Sequence, residues 1–126
     1  MKSRFVIQLH NADRAGKHYD IRIEKDGKLV SWASRNIPKI IDSNRKILLI
    51  KQPDHPLNWI NFKGTIESGY GKGEVEIWDS GSVDILKFES NSINLIFYGN
   101  KIKGEYFITH PPLLSKDKYF MFKSSN

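Results

Sequence analysis

Short runs of β-branched and aromatic residues recur along this chain, alternating apolar with polar, at residues 5–9, 19–23, 29–32, 47–50, 75–78, 83–88, 93–98, 106–108 and 119–122. A period of two sends successive side chains to opposite faces of a strand, and no stretch carries the longer apolar period of a helix. Turn signals separate the runs, notably Asp26-Gly27, Ser80-Gly81, Ser90-Asn91-Ser92 and Gly99-Asn100, which are hairpin chemistry. The pattern predicts an all-β meander with short helical turns at residues 38–43 and 57–62. A small closed or nearly closed antiparallel β-barrel is expected rather than a sandwich. With 126 residues two sheets would be poorly covered, and closure removes exposed strand edges. The irregular stretches are 10–17, 36–45, 52–73 and 110–118, and loops of this kind carry function in barrels.

The length fits one domain over residues 1–126, large enough to bury a core without covalent staples. Cysteine is absent, which excludes disulfides, thiolate metal sites and a cysteine nucleophile. No apolar run approaches the roughly 20 residues of a membrane span, and the start MKSRFVIQLHNADR turns polar too early for a secretory signal. A soluble, cytoplasmic monomer is expected. The net charge of +6 favours an anionic partner such as nucleic acid. Because the lysines are dispersed, any positive patch must be assembled by folding.

The segment HYDIRIE, residues 18–24, concentrates the chemistry. His18, Asp20 and Arg22 alternate with Tyr19, Ile21 and Ile23, so one face of a strand would hold two metal-ligand types and a phosphate-binding fork while the other enters a core. His10 ends the first predicted strand and His18 opens the second, so the two imidazoles and the Asp20 carboxylate can meet. Such a mixed donor set with open positions suits a catalytic divalent ion. The same alternation also describes a strand face turned to water, as one side of most antiparallel strands is. His55 precedes Pro56, which restricts its backbone to extended conformations; a general acid, a phosphate ligand and a plain surface residue are all open readings. His110 has no evident partner. Trp32, Trp59 and Tyr70 with the lysines also describe a second class of function, a non-catalytic nucleic-acid-binding barrel.

Several ordered segments make the chain resemble a known family: FVIQLHNADRAGKHYDIRIEKDGKLVSWA, DHPLNW, FKGTIESGYGKGEVEIWDSG, KIKGEYFI and the closing YFMFK. It resembles the 3′-phosphoesterase domain found in bacterial DNA ligase D and as free-standing archaeal proteins, over nearly its whole length. The resemblance implies a small β-barrel that uses Mn²⁺ to heal 3′ ends of DNA or RNA–DNA primer-templates, beside a separate ligase and polymerase of end joining. It implies removal of a terminal 3′ ribonucleoside and hydrolysis of the 3′-phosphate to leave a 3′-hydroxyl. It also assigns His10, His18 and Asp20 to the metal, Arg22 and His55 to the scissile phosphate, and Gln8 to a polar position beside the metal.

The chain departs from the family pattern in four places. The stretch between the two histidines, residues 11–17, is longer by two residues, which displaces Arg14. Trp59 stands where a tyrosine is common. Ser34-Arg35-Asn36 replaces a proline and lysine after Trp32-Ala33, leaving Arg35 as a displaced cation, and Arg45 and Lys46 are shifted candidates for a family arginine. Ligase-linked members carry a basic N-terminal arm for diester processing that is not seen ahead of this barrel, so monoester hydrolysis is the firmer expectation.

Overall fold

A computed structural model describes residues 1–43 and 45–125, with the backbone alone given for Asp42 and Ser43. The strands are β1 (Lys2–Ala12), β2 (Gly16–Lys25), β3 (Lys28–Ser34), β4 (Ile47–His55), β5 (Gly64–Ile66), β6 (Gly73–Glu89), β7 (Ser92–Tyr98), β8 (Lys103–Thr109) and β9 (Lys118–Lys123). A helix, α1 (Ile37–Ser43), joins β3 to β4, and a 3₁₀ turn (Leu57–Asn61) follows β4. Neighbours run in the order β1-β2-β3-β4-β9-β8-β7-β6-β5, and a further pairing of β1 with β6 closes eight strands into a ring. All pairings are antiparallel. The closed barrel expected from the alternation is therefore what forms, and β5 is a short appendage on β6. No helix among the described residues is long and apolar enough to cross a membrane.

The barrel interior is filled by the apolar faces of these strands. Tyr19, Ile21 and Ile23 of β2 pack with Phe5 and Ile7 of β1 and Trp32 of β3. Burial of each such side chain contributes about 1.5–3 kcal/mol relative to exposure. The opposite face of β1, β2 and β3 is not wet, because the chain from β4 to β6 returns over it. Val6 and Leu29 are fully buried there, and the polar residues Gln8, His10, Asp20, Arg22 and Ser31 are buried with them. A second buried layer outside the barrel thus consists largely of polar side chains.

Four expectations are corrected by the fold. Residues 75–78 and 83–88 belong to one strand, β6, because Ser80-Gly81 does not turn. Gly81 is needed for close approach: a Cβ there would lie 2.5 Å from the Tyr98 carbonyl oxygen on β7. The separation of the two histidine-bearing strands shrinks to residues 13–15, since Asn11 pairs with Lys17 and Ala12 with Gly16. The stretch 52–73 contains the end of β4 and all of β5, whose three residues carry no alternation to read. Finally, Trp32 is 1% exposed in the core and offers no surface for stacking on a base.

Candidate active site

The β1–β2 hairpin register creates the site. His10 lies opposite His18, Gln8 opposite Asp20 and Val6 opposite Arg22, and directly paired residues share a face with Cβ atoms about 4.5–5.5 Å apart. The strand period then places His10, His18 and Asp20 together without any contribution from distant sequence. One oxygen of Asp20, Oδ2, stands 3.5 Å from His10 Nδ1, 3.3 Å from His18 Nε2 and 3.7 Å from Arg22 Nη2. Among the described residues, His10, His18 and Asp20 form a group whose ligand atoms all lie within 4.8 Å of one another.

The backbone prepares both imidazoles as ligands. His10 Nε2 donates to the Gly71 carbonyl at 2.7 Å and His18 Nδ1 to the Gly16 carbonyl at 3.2 Å. A carbonyl only accepts, so the outer nitrogen of each ring carries a proton; the inner nitrogen of His18 then hydrogen-bonds Asp20 when that ring is charged and offers a lone pair to a cation when it is neutral. Fixing the tautomer through the far nitrogen is how metal-binding histidines are oriented. The spacings from the carboxylate oxygen to the two nitrogens match neighbouring ligands each about 2.1 Å from a shared ion. The donor set is of the kind that suits a divalent cation, with the ligand atoms of the two imidazoles within 4.8 Å of each other and needing only a small approach to share one.

Their charges are tuned by the same contacts. The hydrogen bond with Asp20 raises His18 above the ordinary histidine pKa, against burial. For Asp20, burial acts upward but is outweighed by the His18 hydrogen bond and the Arg22 charge, leaving the carboxyl below its usual value. Burial lowers Arg22 from the usual arginine value, with Asp20 opposing it, and a guanidinium so far above neutrality stays charged.

Arg22 is the hub of the polar layer. Its Nε donates to Gln8 Oε1 at 2.7 Å, and its Nη1 donates to Ser31 Oγ at 2.9 Å and to His55 Nδ1 at 3.1 Å. Gln8 in turn donates through Nε2 to the carbonyls of Trp59 and Phe62, each at 3.0 Å. That amide pins the 3₁₀ turn over the hairpin. The turn supplies Trp59, whose ring lies 5.7 Å from the Arg22 guanidinium and 5.2 Å, edge to face, from His55. His55 ends β4, opposite Leu29 of β3. Burial and then the Arg22 charge lower its pKa, which favours the neutral ring. Nδ1 of His55 faces two partners of opposite kind, the Arg22 donor at 3.1 Å and the Pro53 carbonyl at 3.0 Å; when it accepts from Arg22 the ring proton is on Nε2.

These groups line a cavity of about 210 Å³. It takes in Gln8, His10, His18, Asp20, Arg22, His55, Trp59 and Tyr70 of the residues singled out in the sequence. It does not take in the others. Arg14 is exposed in the hairpin turn. Arg35 is exposed and clamps that turn, donating to the carbonyls of Lys17 at 2.7 Å and Ala15 at 2.5 Å; it borders an adjoining groove. Arg45 and Lys46 line a separate hollow, where the Lys46 ammonium lies over the rings of Phe120 and Phe122 at 5.4 and 5.5 Å. Sequence reading did not find Ser31, Gln52 or Gly71. Ser31 shares the register of Arg22, a signal that pairing β2 with β3 would expose, whereas Gly71 acts through its carbonyl, and the spacing of Gly69, Gly71 and Gly73 signals only a backbone that turns sharply or approaches a neighbour closely.

A polar layer of this kind on the outer face of a small barrel can be compared with known families. A family model described as the DNA ligase D 3′-phosphoesterase domain matches residues 8–110. The chain belongs to that family. The match begins at Gln8 and contains every residue of the cavity, while β9, which links β4 to β8 in the ring, lies beyond it. Among curated relatives, the multifunctional non-homologous end joining protein LigD of Mycobacterium bovis is 45% identical over 109 residues, covering 81% of this chain and 14% of that protein. The LigD of Mycolicibacterium smegmatis is 40% identical over 116 residues, 82% of this chain and 15% of that protein. That of Pseudomonas aeruginosa is 34% identical over 132 residues, 98% of this chain and 15% of that protein. The chain thus spans about a seventh of the length of these relatives.

Proposed function

We propose that this 3′-phosphoesterase-family chain hydrolyses 3′-phosphates at DNA ends, and resects terminal 3′ ribonucleosides, with Mn²⁺ held by His10, His18 and Asp20. The observation that carries the reading is the convergence of two tautomer-fixed imidazoles, a carboxylate and a buried arginine fork on one small cavity. A structural ion needs no arginine beside it, and a surface that merely binds nucleic acid needs no buried carboxylate. The ion would supply Lewis-acid polarisation of a phosphate oxygen and a water of lowered pKa.

The chain's own groups do the rest. Arg22, held by Gln8, Ser31 and His55 through Nε and Nη1, offsets charge on the phosphoryl oxygens with a fixed, desolvated cation whose Nη2 is left to donate, an arrangement that costs little reorganisation during the reaction. In hydrolysis a water oxygen bonds to phosphorus, the bond from phosphorus to the 3′ oxygen breaks, and that oxygen leaves as the 3′-hydroxyl after taking a proton. His55, when its Nδ1 accepts from Arg22, presents Nε2–H as a hydrogen-bond donor to a phosphate oxygen. Trp59 and the 3₁₀ turn shield the guanidinium from water, which strengthens its interaction with the substrate. Phosphoryl transfer of this kind depends on positioning and charge more than on covalent help.

A duplex primer ending in a 3′-phosphate, incubated with and without Mn²⁺, tests the reading. Metal-dependent release of inorganic phosphate is expected, and its absence at high protein concentration refutes the proposal. If His18→Ala turns over at the wild-type rate, the ligand assignment is wrong.

A further inference from the structure

Beside the polar cavity lies a second, roomier groove of about 370 Å³. The two hollows share Ala15, His18, Gln52 and Tyr70, so they adjoin as one trough with these four residues, Tyr70 among them, at the divide. Their chemistry differs sharply. The first is lined by the metal-ligand set and Arg22, whereas the second is floored by Ala33, Leu48 and Ile50 and rimmed by Ser34, Arg35 and Asn36. Ala33 and Ile50 are paired across β3 and β4, so that floor is rigid sheet.

Tyr70 is 72% exposed, and no hydrogen bond or ring contact engages it among the described residues. Of the three aromatic residues suggested by the sequence as stacking surfaces, Trp32 is in the core and Trp59 is occupied by His55, Phe62 and Arg22. Tyr70 alone presents a free ring. It is carried on a backbone tied to the reacting centre, since the next residue, Gly71, orients His10 through its carbonyl. That backbone runs close enough that a Cβ at Gly71 would lie 3.4 Å from His10 Cε1. Gly69, at φ 90°, takes a conformation that favours glycine.

We infer that Tyr70 and the adjoining groove form the nucleoside site for the residue immediately 5′ of the scissile phosphate, with its base stacked on the Tyr70 ring. The inference rests on the phosphoesterase reading and adds where the strand lies. A strand whose 3′-phosphate sits at Arg22 and the ligand set has only one nucleoside attached to that phosphate. The trough offers one neighbouring space with an apolar floor, a flat aromatic face and a cation, Arg35, on its rim. Every base has a π-face, so stacking on Tyr70 tolerates sequence, as an enzyme acting on ends of any sequence requires.

The test compares two labelled single strands of equal length and charge, ending in a nucleoside 3′-phosphate or in a tetrahydrofuran abasic 3′-phosphate. Binding is read by fluorescence anisotropy at constant salt, with phosphate release measured in parallel. Wild type and Tyr70→Phe should prefer the strand with a terminal base by roughly tenfold, the size expected of one stacked base. Tyr70→Ala, at an exposed position that leaves folding intact, should bind both strands equally. No preference in the wild type, or a preference retained in Tyr70→Ala, overturns the inference. A wild type that prefers the base yet releases no phosphate keeps the nucleoside site and refutes the esterase reading; normal release without preference does the reverse.

Discussion

Replacing Gln8 by leucine, a side chain of similar size, probes how the site is held together. Gln8 is 1% exposed and makes three hydrogen bonds, two to the roof carbonyls of Trp59 and Phe62 and one from Arg22 Nε. Each neutral bond contributes about 1 kcal/mol and the one from the guanidinium about 2 kcal/mol. The Trp59 carbonyl keeps the Phe62 amide as a partner, at 3.2 Å, while Arg22 Nε is left facing hydrocarbon. Added apolar burial returns about 1 kcal/mol, so the net loss is about 3 kcal/mol. With a urea slope of roughly 1.5–2 kcal/mol/M for a domain of this size, the midpoint should fall by about 1.5–2 M at unchanged slope. A double-mutant cycle with Arg22→Met isolates the guanidinium bond, and a coupling of about 2 kcal/mol is expected. Additivity within about 0.5 kcal/mol, or a single-mutant midpoint within error of wild type, would refute the claim that Gln8 couples roof to arginine.

Without metal, His18 and Asp20 predict a stability optimum in pH. The raised His18 pKa contributes stability that is complete below the ordinary histidine value and lost as pH rises through the folded-state value. The lowered Asp20 pKa contributes stability present above the ordinary carboxylate value and lost as pH falls through the folded-state value. Urea midpoints measured in chelator across pH should therefore decline on both sides, and His18→Ala should flatten the alkaline limb. Mn²⁺ affinity by calorimetry should climb with pH through the His18 titration, since the proton must leave first; a flat profile refutes this ligand set. Trp59→Tyr keeps an aromatic ring over Arg22 and places a phenol where the family commonly has one, so phosphate release should rise at nearly unchanged stability. A lower rate refutes that role. Asp79, 4% exposed, accepts the amides of Ser80, Asn100, Lys101 and Ile102 at 2.8–2.9 Å. Asp79→Ala should cost about 3–4 kcal/mol and lower Tm by about 10–15 °C in a thermal melt.

The clustering of His10, His18 and Asp20 was legible because it is local. His18, Asp20 and Arg22 are two apart on one strand, and His10 joins them across a single hairpin, so period and pairing suffice. Whether that face was wet or covered was not legible, because the cover is the irregular stretch between β4 and β6. Its three-residue strand and 3₁₀ turn show no apolar period. Ser80-Gly81 misled for a related reason: glycine serves both for turning and for close approach, and only the Tyr98 carbonyl beside it tells which. Arg35 was recognisable as a cation near the site, but its hydrogen bonds to the hairpin turn are set by backbone carbonyls that no residue identity reveals.

From residue types alone came the all-β class, the barrel preference, the strand face that gathers histidine, carboxylate and arginine, and the resemblance that joined them to His55. Only the tertiary structure decided which histidine nitrogens face the carboxylate, that Gln8 ties Arg22 to the roof, and that Tyr70 stands free beside a second groove. The division follows from the range of the forces involved. Alternation and hairpin pairing are properties of neighbouring residues, whereas tautomer, desolvation and enclosure depend on carbonyls and side chains brought from some fifty to sixty residues away, as in the pairs Gln8–Trp59 and His10–Gly71.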